Sequence, residues 1–144
     1  IDSAKAVVSA AGTGTYTFLN AVNGQPYYVE LKHRNSIETW SGTAVNFSGN
    51  NMNYAFFFNI YSAYGDNMKL IDGLPDIDKY GIFSGDVNQD GTVDATDVST
   101  IDNDASNFVS GYVVTDLTGD EFVDGTDFAI ADNNAANFVS AVTP

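Results

Sequence analysis

Acidic and amide side chains recur at fixed spacing in the segment DVNQDGTVDATD, which begins at Asp86. Counted from Asp86 as position 1, oxygen-bearing side chains stand at positions 1, 3, 5, 9 and 12, and Gly91 stands at position 6. Ca²⁺ takes about six to eight oxygen ligands, and twelve-residue loops supply them at these positions, with a backbone carbonyl at position 7. Glycine at position 6 permits the sharp turn that directs the ligands inward. The spacing therefore predicts a calcium-binding loop, loop one, with the ligands Asp86, Asn88, Asp90, Thr92, Asp94 and Asp97.

A second segment, DLTGDEFVDGTD, repeats this spacing from Asp116. It departs at position 3, which is Thr118, and at position 6, which is Glu121. A residue other than glycine that must adopt a positive φ costs on the order of 1 kcal/mol. We therefore expect Ca²⁺ at two sites, with the second site weaker. The ligands expected in this loop, loop two, are Asp116, Thr118, Asp120, Phe122, Asp124 and Asp127.

The two loops belong to an internal repeat. Residues 86–110 and 116–140 are identical at 13 of 25 positions when shifted by 30. In each copy the loop is followed by apolar residues at helical spacing, and a unit of this length usually packs against its copy to bury that face. The alternative is a solvated acidic turn, which the in-phase repetition argues against. The expected packing stripes are Val98, Ile101, Ala105 and Phe108, then Phe128, Ala131, Ala135 and Phe138, and Val93 is expected to pack against Val123.

The charge distribution separates the two halves of the chain. Residues 1–85 carry seven acidic and five basic side chains, whereas residues 86–144 carry twelve acidic and no basic ones, which gives formal charges of −2 and −12. So acidic a segment lacks the clustered Lys and Arg that nucleic-acid binding requires. The absence of cysteine excludes disulfides and thiolate-bound metals. No apolar run reaches the ~20 residues of a membrane-spanning helix.

The loop-helix repeat resembles the type I dockerin repeat over residues 85–142. An EF-hand loop has Glu at position 12, whereas both loops here end in Asp, at Asp97 and Asp127. The resemblance implies two calcium loops, each followed by a single helix, near the C-terminus of a secreted or surface bacterial protein. Many dockerins contact a cohesin through Ser-Thr at positions 10 and 11 and a later Lys-Arg pair. This sequence has Ala95-Thr96 and Gly125-Thr126 at those positions, and its helices are acidic, so the cohesin partner does not carry over.

The N-terminal half is expected to be β-structure. Alternation of apolar and polar residues in 27–34 favours a strand with one face on a core. Short strands separated by turn clusters are typical of a small antiparallel sandwich. We expect this sandwich to span 1–84, to lack strands that lie further upstream, and to have an open edge that invites another chain. The further candidate strands are 1–9, 15–19, 44–47 and 52–60.

A catalytic function has little support. The lone histidine, His33, lies near Ser36 and Glu38, but no nucleophile or phosphate-binding motif accompanies it. We therefore expect a hydrogen-bonded histidine at a strand end and no enzyme. Tyr54, Phe56 and Phe58 are expected in the core, while three other aromatic residues could stack on a glycan: Trp40, Tyr61 and Tyr64.

The sequence thus predicts a mainly β protein with a small α part. Its domains are a β-sandwich at 1–84 and a double calcium-loop-helix unit at 85–144. The expected function is that of a non-catalytic, extracellular, calcium-stabilised structural module of a cell-surface or filamentous assembly. Its expected partners are calcium and other copies of itself or neighbouring domains. The alternative is a cohesin-type or carbohydrate-binding module of a secreted multidomain protein.

Overall fold

The computed structural model describes residues 2–9, 11–73 and 78–144. Short strands lie in the first half and two helices of twelve residues in the second, as expected for a mainly β chain with a small α part. In the described part of the chain, neither helix has the length and apolar character needed to cross a membrane. The elements are β1 (Pro26–Tyr27), β2 (Glu30–Leu31), β3 (Thr39–Trp40), β4 (Val45–Asn46), β5 (Lys69–Gly73), β6 (Asp78–Gly81), α1 (Ala95–Ser106) and α2 (Gly125–Ala136), with 3-10 turns at Ile60–Ser62 and Tyr64–Asp66.

The strands pair as three separate two-stranded antiparallel sheets. β1 pairs with β4, β2 with β3, and β5 with β6. Leu31 lies opposite Thr39, and Leu70 lies opposite Tyr80. Lys32 supports the β2–β3 pair, because its ammonium lies 3.0 Å from a Glu30 carboxylate oxygen and 2.9 Å from one of Glu38. This arrangement does not show the predicted sandwich.

Several predicted strands are absent from the residues described. Residues 2–9, 15–19 and 52–60 form no strand, residue 1 lies outside the described part, and 44–47 is reduced to β4. Alternation specifies which face of a strand is apolar, but a strand also needs a partner, and pairing between distant segments is not encoded locally. Exposure follows from this lack of partners: Leu19 is 87% exposed and Phe58, which was expected in the core, is 58% exposed.

Each helix begins inside its loop, at position 10, two residues before the predicted loop ends. Asp94 caps α1, and its carboxylate accepts a hydrogen bond from Thr96 N at 2.7 Å, while the Asp97 carboxylate accepts one from Asp94 N at 3.0 Å. Asp124 and Asp127 repeat this capping box at α2. Carboxylates in the first turn satisfy backbone N–H groups that have no partner within the helix and oppose the positive end of its dipole. Positions 9 and 12 of each loop therefore also start the helix that follows.

The helices end two residues before the last member of each predicted stripe. Asn107 and Asn137 are the C-caps, and the next residues, Phe108 and Phe138, adopt φ of 53° and 54°. Val109 N donates to the Asp104 carbonyl at 3.0 Å and Phe108 N to that of Ala105 at 3.1 Å, which is the Schellman pattern. The left-handed residue turns its side chain away from the stripe. Burial of the two phenylalanines was therefore wrongly predicted, since they are 89% and 88% exposed.

The core consists of two small clusters. One gathers Ile101, Val123 and Ala131, with Val98, Ala105 and Phe128 packed around them. This cluster joins the two helices through most of the predicted stripe. The other gathers Ile37, Val93 and Val139, with Phe83 and Ala135 at its edge. The predicted contact of Val93 with Val123 is wrong, because the two valines lie in different clusters.

The second cluster forms because each loop pairs with the segment that follows the helix of the other repeat. Val93 N donates to the Val139 carbonyl at 2.9 Å, and Val123 N donates to that of Val109 at 3.0 Å. The same hydrogen bond thus occurs in both directions, and each loop contacts the segment that follows the helix of the other repeat. Ile37 enters the cluster from the first half of the chain and is fully buried. A residue outside the repeat thus completes the core beneath loop one.

Candidate metal centre

Loop one is organised around two buried carboxylates. Asp86 is 1% exposed and Asp97 is fully buried. The oxygens of Asp86 accept hydrogen bonds from Asp90 N at 3.1 Å and Gly91 N at 3.0 Å. Asp97 Oδ1 accepts hydrogen bonds from Val87 N at 2.9 Å and Asn88 N at 3.2 Å. The first and last positions of the loop therefore hold its backbone in a closed ring.

Loop two has the same arrangement, except that the carboxylate at position 1 accepts from the N–H of position 4 instead of position 5. Asp127 is fully buried and accepts hydrogen bonds from Leu117 N at 2.8 Å and Thr118 N at 2.9 Å. Asp116 is 2% exposed and accepts hydrogen bonds from Gly119 N at 2.6 Å and Glu121 N at 3.2 Å. The predicted positions 1 and 12 are thus buried in both loops.

The intermediate predicted positions lie at the surface. Asp90, Asp94, Asp120 and Asp124 are exposed. Asp90 and Asp120 bend the chain locally, since their Oδ1 atoms accept hydrogen bonds from Thr92 N and Phe122 N, each at 3.0 Å. These side chains therefore face solvent and define the side from which an ion would enter. The two remaining side-chain candidates, Asn88 and Thr118, are also exposed.

Position 6 adopts a left-handed backbone in both loops. Gly91 has φ of 90°, and Glu121 has φ of 70°. The backbone of loop two therefore requires of Glu121 the conformation that favours glycine. Position 4 is also left-handed, with φ of 61° at Gln89 and 79° at Gly119, so each loop contains two such residues, only one of which is glycine.

The different residues at position 6 can be tested by placing in each loop the residue found in the other. Glu121→Gly is expected to raise the free energy of unfolding by about 1 kcal/mol because it removes the side-chain clash at positive φ. Gly91→Glu should lower it by at least a similar amount, about 1–2 kcal/mol. Urea unfolding of the two variants beside the parent measures both changes. Stabilisation by Gly91→Glu, or destabilisation by Glu121→Gly, would contradict the assignment of strain to position 6.

Electrostatic repulsion is built into loop one. Burial raises the pKa of Asp86, and the nearby Asp97 carboxylate raises it further, against the lowering effect of the hydrogen bonds from Gly91, Gln89 and Asp90. Two buried carboxylates in one loop are unfavourable without a compensating positive charge. A bound cation would supply that charge.

The donor set fits a hard divalent cation. Every predicted ligand atom is an oxygen, and no cysteine occurs in the chain. Within residues 2–9, 11–73 and 78–144, no three acidic or histidine side chains converge into a preformed cage. The carboxylates are instead turned towards backbone N–H groups, but each has about four lone-pair directions and can accept these bonds while binding an ion. These hydrogen bonds therefore order the loop backbones although the carboxylates do not converge on one point.

The first half of the chain contacts both loops through one segment, Arg34 to Ile37, called the bridging segment below. Asn35 Nδ2 donates to the backbone carbonyl of Asp116 at 2.9 Å. Gln89 Nε2 donates to the Ser36 carbonyl at 3.1 Å. Gly85 N donates to the Asn35 carbonyl at 2.7 Å. The bridging segment thus lies against the beginning of each loop.

The bridging segment carries no local sequence pattern that indicates its contact with the loops. Arg34 and Asn35 lie 82 and 81 positions before Asp116, and no local pattern reports such a distance. One feature could have indicated the contact: the chain has only five basic residues beside a segment of charge −12. A basic residue next to a short apolar strand is a reasonable partner for an acidic loop.

The other residues considered for a function are His33 and three aromatic residues. His33 is exposed, and its Nδ1 lies 3.4 Å from Ser36 Oγ. The Trp40 indole donates to Glu38 Oε1 at 3.2 Å, and the Tyr64 ring packs edge-on to Tyr28 at 5.9 Å. Of the three aromatic residues considered for glycan stacking, Tyr61 is 73% exposed whereas Trp40 and Tyr64 are partly buried.

Comparison with known families agrees with the loop-helix repeat. The model of the dockerin type I domain family matches residues 84–136. This range contains both loops and both helices, so residues 84–136 form a dockerin-like module. No curated protein and no solved structure matches the chain.

Proposed function

We propose that this chain is a non-catalytic, extracellular, calcium-stabilised interaction module in which residues 85–144 form the calcium-binding unit and residues 1–84 the supporting β region. The observation that carries the proposal is the pair of equivalent loops, each with fully or almost fully buried carboxylates at positions 1 and 12. The match of residues 84–136 to the dockerin type I domain supports the same conclusion.

The proposed ligands in loop one are the side chains of Asp86, Asn88, Asp90, Asp94 and Asp97 with the Thr92 carbonyl. Their equivalents in loop two are Asp116, Thr118, Asp120, Asp124, Asp127 and the Phe122 carbonyl. Calcium supplies positive charge that offsets repulsion among these carboxylates. Because extracellular calcium is millimolar, a site with a dissociation constant of ~10⁻⁴ M would be filled there. Calcium then acts as a structural component of the module.

A calorimetric titration of calcium into chelator-treated protein tests this function. Two binding events are expected, the stronger at loop one, and a parallel titration with magnesium should bind more weakly because magnesium demands a tight octahedral site. Asp90→Ala and Asp120→Ala assign the events, since each removes one exposed ligand at the same position of its loop. Absence of heat from calcium in the parent protein would refute the proposal.

A second candidate function is self-assembly, and one observation favours it. Phe108 and Phe138 are equivalent in the repeat and are almost fully exposed, and large exposed aromatic side chains often mark interaction sites. Phe108 lies near the start of α2 and Phe138 near the start of α1, so each end of the helix pair offers one such side chain to a second copy of the chain. Light scattering during the calcium titration should then show growth in size that Phe108→Ser with Phe138→Ser abolishes. A particle that keeps monomeric size when calcium-loaded would exclude self-assembly and leave cohesin-like or glycan partners as the alternatives.

A further inference from the structure

A basic side chain from the first half of the chain, Arg34, contacts the first residue of loop two, Asp116. Arg34 Nη2 donates to the backbone carbonyl of Asp116 at 3.1 Å and lies 3.7 Å from Asp116 Oδ2. The guanidinium lies over the ring of Tyr112, 3.8 Å from its centroid. The side chains of Arg34 and Asp116 are 18% and 2% exposed. This is a largely buried contact, so solvent screens it less than it would a surface ion pair.

The corresponding contact in loop one is neutral. The Asp86 carbonyl accepts a hydrogen bond from Gln89 Nε2 at 2.7 Å. Loop two has Gly119 at the position of Gln89 and therefore no side chain to make this bond. Arg34 and Asn35 supply the donors instead, both to the Asp116 carbonyl. The same backbone atom is thus held by an amide in one loop and by a guanidinium and an amide in the other.

The placement of Arg34 is explained better by charge than by hydrogen bonding. Its Nε atom is buried without a hydrogen-bond partner among the described residues. A buried donor without a partner is unfavourable, and a guanidinium stays protonated at all physiological pH values. The compensating term is attraction to the acidic segment 86–144, which contains no basic residue of its own. Arg34 is therefore the cation that the first half of the chain contributes to the second.

We propose that Arg34 weakens calcium binding at loop two and so adds to the difference in calcium affinity between the two loops that Thr118 and Glu121 create. This inference rests on the proposed function, because it assumes that the loops bind calcium. The guanidinium neutralises part of the charge on Asp116. It therefore stabilises the folded conformation of loop two when no calcium is bound. The same positive charge repels a divalent cation at that loop. Arg34 thus stabilises the calcium-free form and weakens calcium binding at loop two.

Arg34→Gln tests both consequences, because glutamine can still donate to the Asp116 carbonyl but carries no charge. Calorimetry should show the weaker calcium-binding event of the parent strengthened by about three- to tenfold, as expected when a nearby unit charge is removed. The stronger event should be unchanged. By thermodynamic linkage, calcium should also protect the variant against unfolding more than it protects the parent. If the parent shows one event only, Arg34→Gln should reveal the second.

Three variants separate charge from structure. Arg34→Lys keeps the charge and should keep the weak affinity of the parent. Asn35→Ala removes a hydrogen bond to the same carbonyl and should destabilise the protein without strengthening calcium binding. Lys5→Gln removes an equal charge from an exposed position and should change both affinities less than twofold.

The outcomes separate the inference from the proposed function. Unchanged or weaker calcium binding by Arg34→Gln, or strengthening by Lys5→Gln to the same extent, would overturn the role of Arg34 while leaving the loops as calcium sites. If calcium binds to neither the parent nor Arg34→Gln, both proposals fall. If Arg34→Gln is unfolded without calcium, its calcium affinity at loop two is measured after refolding in calcium and is compared with that of Arg34→Lys. The inference would be overturned if Arg34→Lys bound calcium at loop two as strongly as Arg34→Gln or more strongly.

Discussion

Replacing Asp97 with alanine is expected to abolish calcium binding at loop one and to lower the free energy of unfolding by about 3 kcal/mol or more. Asp97 is fully buried and accepts hydrogen bonds from three backbone N–H groups, those of Val87, Asn88 and Asp94. Its removal leaves these donors without a partner and takes away one of the two hydrogen bonds of the capping box at α1. Asp97 closes the loop, takes part in the capping box of α1 and is a proposed calcium ligand, so its loss is expected to affect all three roles.

Asp102→Ala is the matched control for this effect. It removes the same side chain from an exposed position of α1 and should change stability by no more than about 0.5 kcal/mol. Urea unfolding followed by circular dichroism, with calcium and with a chelator, measures both variants. The large loss for Asp97→Ala should persist in the chelator, because the backbone hydrogen bonds do not depend on metal. Equal stability of the two variants in the chelator would contradict the structural role of Asp97.

The second large effect is expected from Ile37→Ala. Ile37 is fully buried in the cluster with Val93 and Val139, and truncating a buried isoleucine costs about 2–5 kcal/mol. Val93 belongs to loop one and Val139 to the segment after α2. A cavity at Ile37 should therefore destabilise the helices although the substitution lies far from them in sequence. Helical circular dichroism during thermal unfolding reports this directly.

Ile71→Ala provides the comparison, since Ile71 is 70% exposed and the same truncation there should cost less than about 1 kcal/mol. If the two halves of the chain fold as one unit, Ile37→Ala lowers the midpoint of the helical transition well below that of Ile71→Ala. Identical helical midpoints would show that the loop-helix unit folds independently of the bridging segment.

The parts of this fold that the sequence predicts are those encoded locally. A helical segment with an apolar stripe was predicted after each loop, and α1 and α2 carry most of these stripes. Apolar periodicity also identified Ile101 and Ala131 correctly as core residues. The periodicity did not reveal that Phe108 lies beyond the helix end, because an asparagine cap followed by a left-handed phenylalanine leaves the spacing of apolar residues unchanged.

Non-local features were predicted less well. The sandwich rested on alternating patterns, which do not specify which strands pair or whether they stack. The exchange that places Val93 beside Val139 depends on how the two repeats dock, and the sequence repeat is equally compatible with direct contact of Val93 and Val123. The contact of Arg34 with Asp116 joins residues 82 positions apart. The loops could be located from the sequence, but their connection to the first half required the structure.

The most direct test of the central claim is the free energy of unfolding measured as a function of free calcium concentration. A ligand that binds only the folded state stabilises it by RT ln(1 + [L]/Kd), about 4 kcal/mol per site at a thousandfold excess over Kd. We predict a continuous rise in stability with calcium that is larger than the rise with magnesium at equal concentration and is reduced by Asp90→Ala. Equal stability in calcium and in chelator would show that these loops are not calcium sites.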